Sequence, residues 1–312
     1  MKLITFTKDG LTRIGLVESD YIVDLHRAFY EKLRAEGKLR AQQIADAYIP
    51  NDMVGFLQGG DESLDYAKQA VEFALSHDSD VPLVFKREEV KLEAPVPNPG
   101  KMICVGHNYR EHILEMGREI PPYPVVFAKF ANTVIGPEDD IPFHPISEQL
   151  DYEAEFAFVI GKRARNVSQA EALSYVAGYT IVNDVTYRDL QRRTLQWLQG
   201  KTVDGSAPMG PWLVTTDELA DPSGLGIALF VNGEERQRSN TANLVFTVPY
   251  LVEFLSGLMT LEPGDVILTG TPGGVGVARN PQVFLKDGDV VRIEVEKIGV
   301  LENRVKKVEV SS

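Results

Sequence analysis

Three acidic residues carry the first chemistry legible in this 312-residue chain. In Asp151-Tyr152-Glu153-Ala154-Glu155-Phe156-Ala157-Phe158-Val159-Ile160, the residues Tyr152, Ala154, Phe156, Phe158 and Ile160 recur with period two, as on one apolar face of a β-strand. Asp151, Glu153 and Glu155 share the opposite face. At a rise of ~3.3–3.4 Å per residue, Glu153 and Glu155 lie about 6.6–7 Å apart at the backbone, so their carboxylate heads can converge on one cation. A second strand-like run, residues 178–185, carries Asp184 just before a helical pattern. Three carboxylates without a nearby His or Cys cluster point to a hard, oxygen-preferring ion, Mg²⁺ or Mn²⁺. Taken alone, the glutamate pair is equally consistent with the wet face of a half-exposed strand. Two carboxylates within ~4 Å repel by roughly 4 kcal/mol at an effective dielectric near 20. Convergence of all three therefore calls for a divalent cation.

Other constellations fit chemistry on a carbonyl. After the apolar run 102–105 comes His107-Asn108-Tyr109-Arg110-Glu111-His112-Ile113-Leu114-Glu115. On a helical turn, His112 and Glu115 are i,i+3 neighbours, and a carboxylate that orients an imidazole makes a general base near neutral pH. A solvated surface helix would look the same. Thr186 and Asp189 have capping-box spacing, which accounts for them without function. Arg188 and Gln191 on the same first turn lie close to Asp184 and could reach an anion there. Lys201 is by itself an ordinary exposed lysine. Residues 270–276, Gly-Thr-Pro-Gly-Gly-Val-Gly, match neither a P-loop nor GxGxxG. Such a loop is either a plain turn or a nest of backbone N–H groups for a carboxylate.

The elements that must position these residues are mostly strands. Residues 3–7 and 13–17 flank Lys8-Asp9-Gly10, a hairpin signal, and residues 21–24 add a third strand. Residues 25–77 turn helical, with Leu64, Ala67, Val71, Ala74 and Leu75 at helical spacing in the last helix. Ala94-Pro95-Val96-Pro97-Asn98-Pro99-Gly100 bars regular structure. It divides the chain into a small α+β accessory domain (1–94), a Pro-rich linker (95–100) and a catalytic domain (101–312). In that last part Asn232-Gly233 marks a tight hairpin, and helices are expected over 186–198 and 249–258. The expected class is α+β, dominated by mixed sheet.

Composition narrows the partners. A net charge of −13 argues against nucleic acid or an anionic membrane surface. The single cysteine, Cys104, excludes an internal disulfide and a cysteine zinc site, and its apolar surroundings mark a buried inert thiol. The N-terminus lacks the apolar stretch of a signal peptide, and no run approaches 18 apolar residues. The expected location is cytoplasmic.

The ordered motifs Asn-Tyr-x-x-His-x-x-Glu (108–115), Asp-Tyr-Glu-x-Glu (151–155), Ile-Gly-Lys (160–162), Asn-Asp-Val-Thr-x-Arg-Asp-Leu-Gln (183–191), Gly-Lys (200–201), Pro-Met-Gly-Pro (208–211) and Thr-Gly-Thr-Pro (269–272) together resemble the fumarylacetoacetate hydrolase family. The resemblance runs from about residue 100 to the C-terminus and implies a mixed β-roll holding Mg²⁺ or Mn²⁺ on Glu153, Glu155 and Asp184. It further implies a His112–Glu115 dyad on a lid, a homodimer, and a 2-keto acid substrate. Lys201 and Gln191 match positions that contact substrate oxygens, and Thr271 one near its carboxylate; Tyr109, Arg188 and Gly270 complete the expected substrate-binding set. The implied reaction is hydrolysis of a C–C bond in an acylpyruvate or related β-diketo acid, with His112 activating water and Lys201 stabilising a pyruvate-type enolate. Oxaloacetate decarboxylation and isomerisation or tautomerisation of a hydroxymuconate-type diacid share the same residues. A non-catalytic, metal-stabilised protein is the alternative of another class. His107, where many relatives carry Arg or Lys, and Phe130 after Lys129, where Pro is common, depart from the family pattern and bear on substrate identity.

Overall fold

The computed structural model describes residues 1–77 and 79–309. Its main sheet has 12 strands. Along its path run Val84–Lys86, Tyr21–Asp24, Leu11–Glu18, Lys2–Lys8, Ala207–Thr215, Val176–Asn183, Ala154–Ile160, Val266–Leu268, Met102–Gly106 and Val125–Lys129. The pairings mix both senses: Ala154–Ile160 is antiparallel to its neighbours, whereas Val266–Leu268 runs parallel to Met102–Gly106. The N-terminal hairpin extends this same sheet, with Lys2 opposite Val214 and Leu3 opposite Leu213. A second sheet of five strands, from Glu234–Asn240 to Ile141–Phe143, packs against the first. The class is α+β with mixed sheets.

Local chemistry explains the turns. Asp9 and Gly10, and likewise Asn232 and Gly233, all have positive φ, as a two-residue type I′ hairpin demands. Asp24 caps the helix Leu25–Ala35 by accepting the Arg27 N–H. In the helix Gly60–Ser76 the buried stripe is Ser63, Ala67, Ala70 and Ala74, while Leu75 is exposed. The expected apolar set is thus rotated slightly toward the smaller residues.

The strand Ala154–Ile160 corrects the picture of a wet acidic face, for all 7 of its residues are buried. Phe156, Phe158 and Ile160 join the core beneath the second sheet, together with Tyr179, Ile181 and Ile293. Ala157 and Val159 point the other way, into a second core with Leu25, Phe29 and Phe56 of the N-terminal helices. Glu153 and Glu155 are 5% and 1% exposed. Burial of unpaired carboxylates is costly, so their surroundings must neutralise them.

The expected helix over 186–198 does not form. Thr186–Tyr187 is a strand paired with Leu150–Asp151, followed by two short helices, Arg188–Gln191 and Leu198–Lys201. The residues between them include Arg192, Arg193 and the 98%-exposed Leu195, so no apolar stripe exists to stabilise a longer helix. Nor is there a capping box, because the Thr186 hydroxyl donates to the Asp184 carbonyl and Asp189 accepts from Ser147.

Candidate active site

Glu153, Glu155 and Asp184 each offer an oxygen within 4.8 Å of the others. Among the described residues they form the one such group of metal-ligating side chains. Adjacent strands bring them together: Ala154 pairs with Asn183, and the Asp184 N–H donates to the Glu153 carbonyl at 2.9 Å. The register thus sets Asp184 beside the glutamates, which the sequence alone could not do.

Three buried cations surround the trio. Lys201 Nζ donates to Glu153 Oε2 at 2.7 Å and to Asp184 Oδ2 at 2.6 Å. Lys129 Nζ lies 3.0 Å from Asp184 Oδ1 and is held by the Val185 carbonyl and Ser206. Arg188 pairs with Asp151 through Nε at 2.7 Å and with Glu153 through Nη2 at 2.6 Å. Burial would raise the Glu153 pKa, but Lys201 and Arg188 outweigh it and hold the carboxyl well below its usual range. Glu155 has no such partner; burial, Asp184 and Glu153 push it up. The repulsion expected of three convergent acids is thus relieved in part by the chain's own cations, with Lys201 occupying the bridge between two of the acids. Hard oxygen donors with one carboxyl still uncompensated fit a divalent ion of the Mg²⁺ or Mn²⁺ type.

Gly200 explains how Lys201 reaches that bridge. A Cβ there would sit 2.4 Å from the Tyr187 carbonyl oxygen and 2.5 Å from the Gln191 nitrogen, so only glycine lets the two short helices approach.

The dyad forms as its spacing suggests. His112 and Glu115 lie on the helix Arg110–Glu115, with His112 Nδ1 2.7 Å from Glu115 Oε1. A carboxylate accepts, so Nδ1 is the donor and Nε2 is the ring nitrogen not engaged by Glu115. The helix starts from Asn108, fully buried, whose amide donates to the Phe246 and Thr269 carbonyls and whose oxygen accepts the Phe246 N–H.

The Gly-rich loop is a carboxylate nest after all, and its guests are internal. Gly270 N–H donates to Glu155 at 2.7 Å, Gly274 N–H to Glu115 Oε2 at 2.8 Å, and the Gly276 and Val277 N–H groups to Asp151 at 2.8 and 3.0 Å. One loop therefore orients Glu155 of the trio, Glu115 of the dyad and, through Asp151, Arg188. Asp151 and Lys129 show no role in their spacing along the chain, although each stands within or beside a motif.

Glu153, Glu155, Arg188 and His112 line one cavity of about 90 Å³, which also takes in Gln191, Lys201, Thr271, His107, Arg118 and Trp197. Thr271 accepts from Gln237 at 2.8 Å, and Gln191 accepts from Arg188 at 3.1 Å. Tyr109 is fully buried behind the lining, with a partnerless hydroxyl; burial, then Glu155 and Glu111, keep its phenol protonated.

Buried acids that could hold a cation and a hydrogen-bonded His–Glu pair, set on mixed sheets, are features of an enzyme site. Residues 101–306 match the fumarylacetoacetate (FAA) hydrolase C-terminal family, and the chain belongs to the fumarylacetoacetate hydrolase family. It is 45% identical over 276 residues (88% of this chain, 84% of the other) to a mitochondrial protein of Xenopus laevis named oxaloacetate tautomerase fahd2. It is 41% identical over 298 residues (94% and 95%) to oxaloacetate tautomerase YisK of Bacillus subtilis. It also superposes with a TM-score of 0.75, at 29% identity and covering 99% and 100%, on maleylpyruvate hydrolase from Sphingobium sp. SYK-6 in complex with manganese(II) and pyruvate. No helix among the described residues is long and apolar enough to cross a membrane.

Proposed function

We propose that this chain is a divalent-metal-dependent keto–enol tautomerase of oxaloacetate. The observation that carries the reading is that His112, paired with Glu115, and Glu153 and Glu155, grouped with Asp184, line one small cavity. Mg²⁺ or Mn²⁺ held by the three acids would supply a Lewis acid and a template for the keto acid's oxygens. His112 Nε2 takes a proton from C3 of the keto form; the C–H pair becomes the C2=C3 bond, and the carbonyl pair passes to the C2 oxygen. Protonation of that oxygen completes the enol, and the reverse sequence regenerates the ketone. Glu115 holds the imidazole in the right tautomer and stabilises its charged form. Lys201 uses two of its three N–H donors on Glu153 and Asp184, which leaves one for the oxygen on which charge gathers. Gln191 and Thr271 are positioned to bind the substrate's remaining oxygens.

The tautomerase names of relatives 41% and 45% identical support this reaction over others open to the same residues. Hydrolysis of an acylpyruvate C–C bond is the second reading, favoured by the likeness to a maleylpyruvate hydrolase; there His112 would deprotonate water instead of carbon. Loss of the oxaloacetate enol absorbance and product formation from acetylpyruvate and fumarylpyruvate, followed in parallel with Mn²⁺-loaded protein, separate the two. Enol decay no faster than the uncatalysed rate, alongside acylpyruvate cleavage, would replace the first reading by the second.

A further inference from the structure

The groups that would hold the head of a 2-keto acid are assigned, but the same cavity carries charge that the reaction above leaves unused. Arg118 and Arg192 both line it, and among the described residues neither guanidinium pairs with a carboxylate. Arg188, by contrast, is committed to Asp151 and Glu153. In a chain with a net charge of −13, two exposed arginines without carboxylate partners at the rim of one small cavity are suited to receive an anion.

The surroundings are built to hold Arg118 in place. Its Nη1 donates to His107 Nε2 at 3.0 Å, which leaves its other donors free. His107 has φ of 54°, a left-handed conformation uncommon for a side chain with a Cβ and concentrated at functional sites. Its ring lies 6.0 Å from the His112 ring at an interplanar angle of 19°, and 5.5 Å from Trp197 edge-on. Trp197 in turn closes on Gly106, where a Cβ would come within 2.7 Å of the indole. Burial, then Arg118, bring the His107 imidazole down to about 4, so at neutral pH its Nε2 is available to accept.

We infer that Arg118 and Arg192 form a second carboxylate subsite in the cavity that Glu153 and Glu155 also line, so that the site selects 2-keto dicarboxylates over 2-keto monoacids of similar length. The inference rests on the oxaloacetate reading above and assigns the residues that would hold its distal carboxylate. Arg118, steered by the His107–Trp197 pair, and Arg192, from the segment after the helix Arg188–Gln191, would grip the distal carboxylate from two sides.

The test is a binding measurement, independent of turnover. Mn²⁺-loaded wild type, Arg118→Met, Arg192→Met and the double variant are titrated calorimetrically with L-malate and with L-lactate, which share a 2-hydroxy acid head and differ in the distal carboxylate. The loss of a charge-assisted pair should weaken malate about 10–100-fold in each single variant and leave lactate within a factor of about three. Equal weakening of both ligands, or a malate-to-lactate ratio unchanged in the double variant, would overturn the subsite. Because neither ligand reacts, a wild type that prefers malate but fails to tautomerise oxaloacetate would sink the functional reading and leave the subsite standing.

Discussion

Replacing Lys201 by methionine tests whether this lysine partly occupies the electrostatic role of a cation. The substitution keeps most of the side-chain volume and removes the ammonium that bridges Glu153 and Asp184 at 2.7 and 2.6 Å. All three groups are buried. Breaking a buried pair by removing one partner typically costs about 3–5 kcal/mol, because the other charge stays behind in a poor solvent. Two carboxylates ~4 Å apart repel by roughly 4 kcal/mol at an effective dielectric near 20, a figure of the same order. Glu153 keeps Arg188 and Asp184 keeps Lys129, so the low end, about 3 kcal/mol, is expected. For a 312-residue chain, that lowers the thermal midpoint of the metal-free protein by on the order of 5 °C. Mn²⁺ at 100 times its dissociation constant adds about 2.7 kcal/mol to either protein. In the variant, however, it also relieves repulsion that Lys201 relieves in the wild type, so its affinity there should be equal or higher. Differential scanning calorimetry with and without Mn²⁺, together with direct titration of the ion, reads both effects. A metal-free variant as stable as wild type, or one that has lost Mn²⁺ affinity along with stability, would refute this account of Lys201.

Three further outcomes are expected. Glu153→Ala and Asp184→Ala should each abolish Mn²⁺ binding seen by calorimetry while most of the fold persists, and unaltered affinity in both would dismiss the assigned ligands. His112→Ala should slow the reaction by ~10²–10⁴-fold with metal binding intact, and Glu115→Gln by on the order of 10–100-fold; steady-state rates at saturating Mn²⁺ decide, with an unimpaired His112→Ala enzyme removing the base. His107, whose pKa falls to about 4 from an ordinary value near 6.5, is neutral in the fold at pH values where the unfolded chain would protonate it. Its contribution is therefore fully present above about pH 6.5 and is lost as pH falls toward 4; denaturant midpoints of wild type and His107→Asn across that window should converge at the acid end, and parallel curves would contradict the shift.

The sequence by itself determined a good deal of this protein. Turn residues such as Asp9-Gly10 and Asn232-Gly233 specify their hairpins because few residues adopt positive φ cheaply. The i,i+3 spacing of His112 and Glu115 brings the pair within 2.7 Å once a single helical turn forms, since helix geometry is local. Period-two spacing likewise put Glu153 and Glu155 on one side of their strand. What packs on that side was not legible, because alternation tells one face from the other and not which is wet; the N-terminal helices cover it. Only the antiparallel register with Val176–Asn183 brings Asp184 to the glutamates. Lys201 by itself reads as any surface lysine would and Lys129 shows no role in its spacing; both become buried counter-ions only through contact with Asp184, 17 and 55 positions away. The same holds for the loop from Gly270 to Val277, whose N–H groups meet Glu155, Glu115 and Asp151 from three separate parts of the chain. Spacing along the chain fixes chemistry that one turn or one strand can assemble; charge compensation is a property of the folded interior, where distant segments share one low-dielectric space.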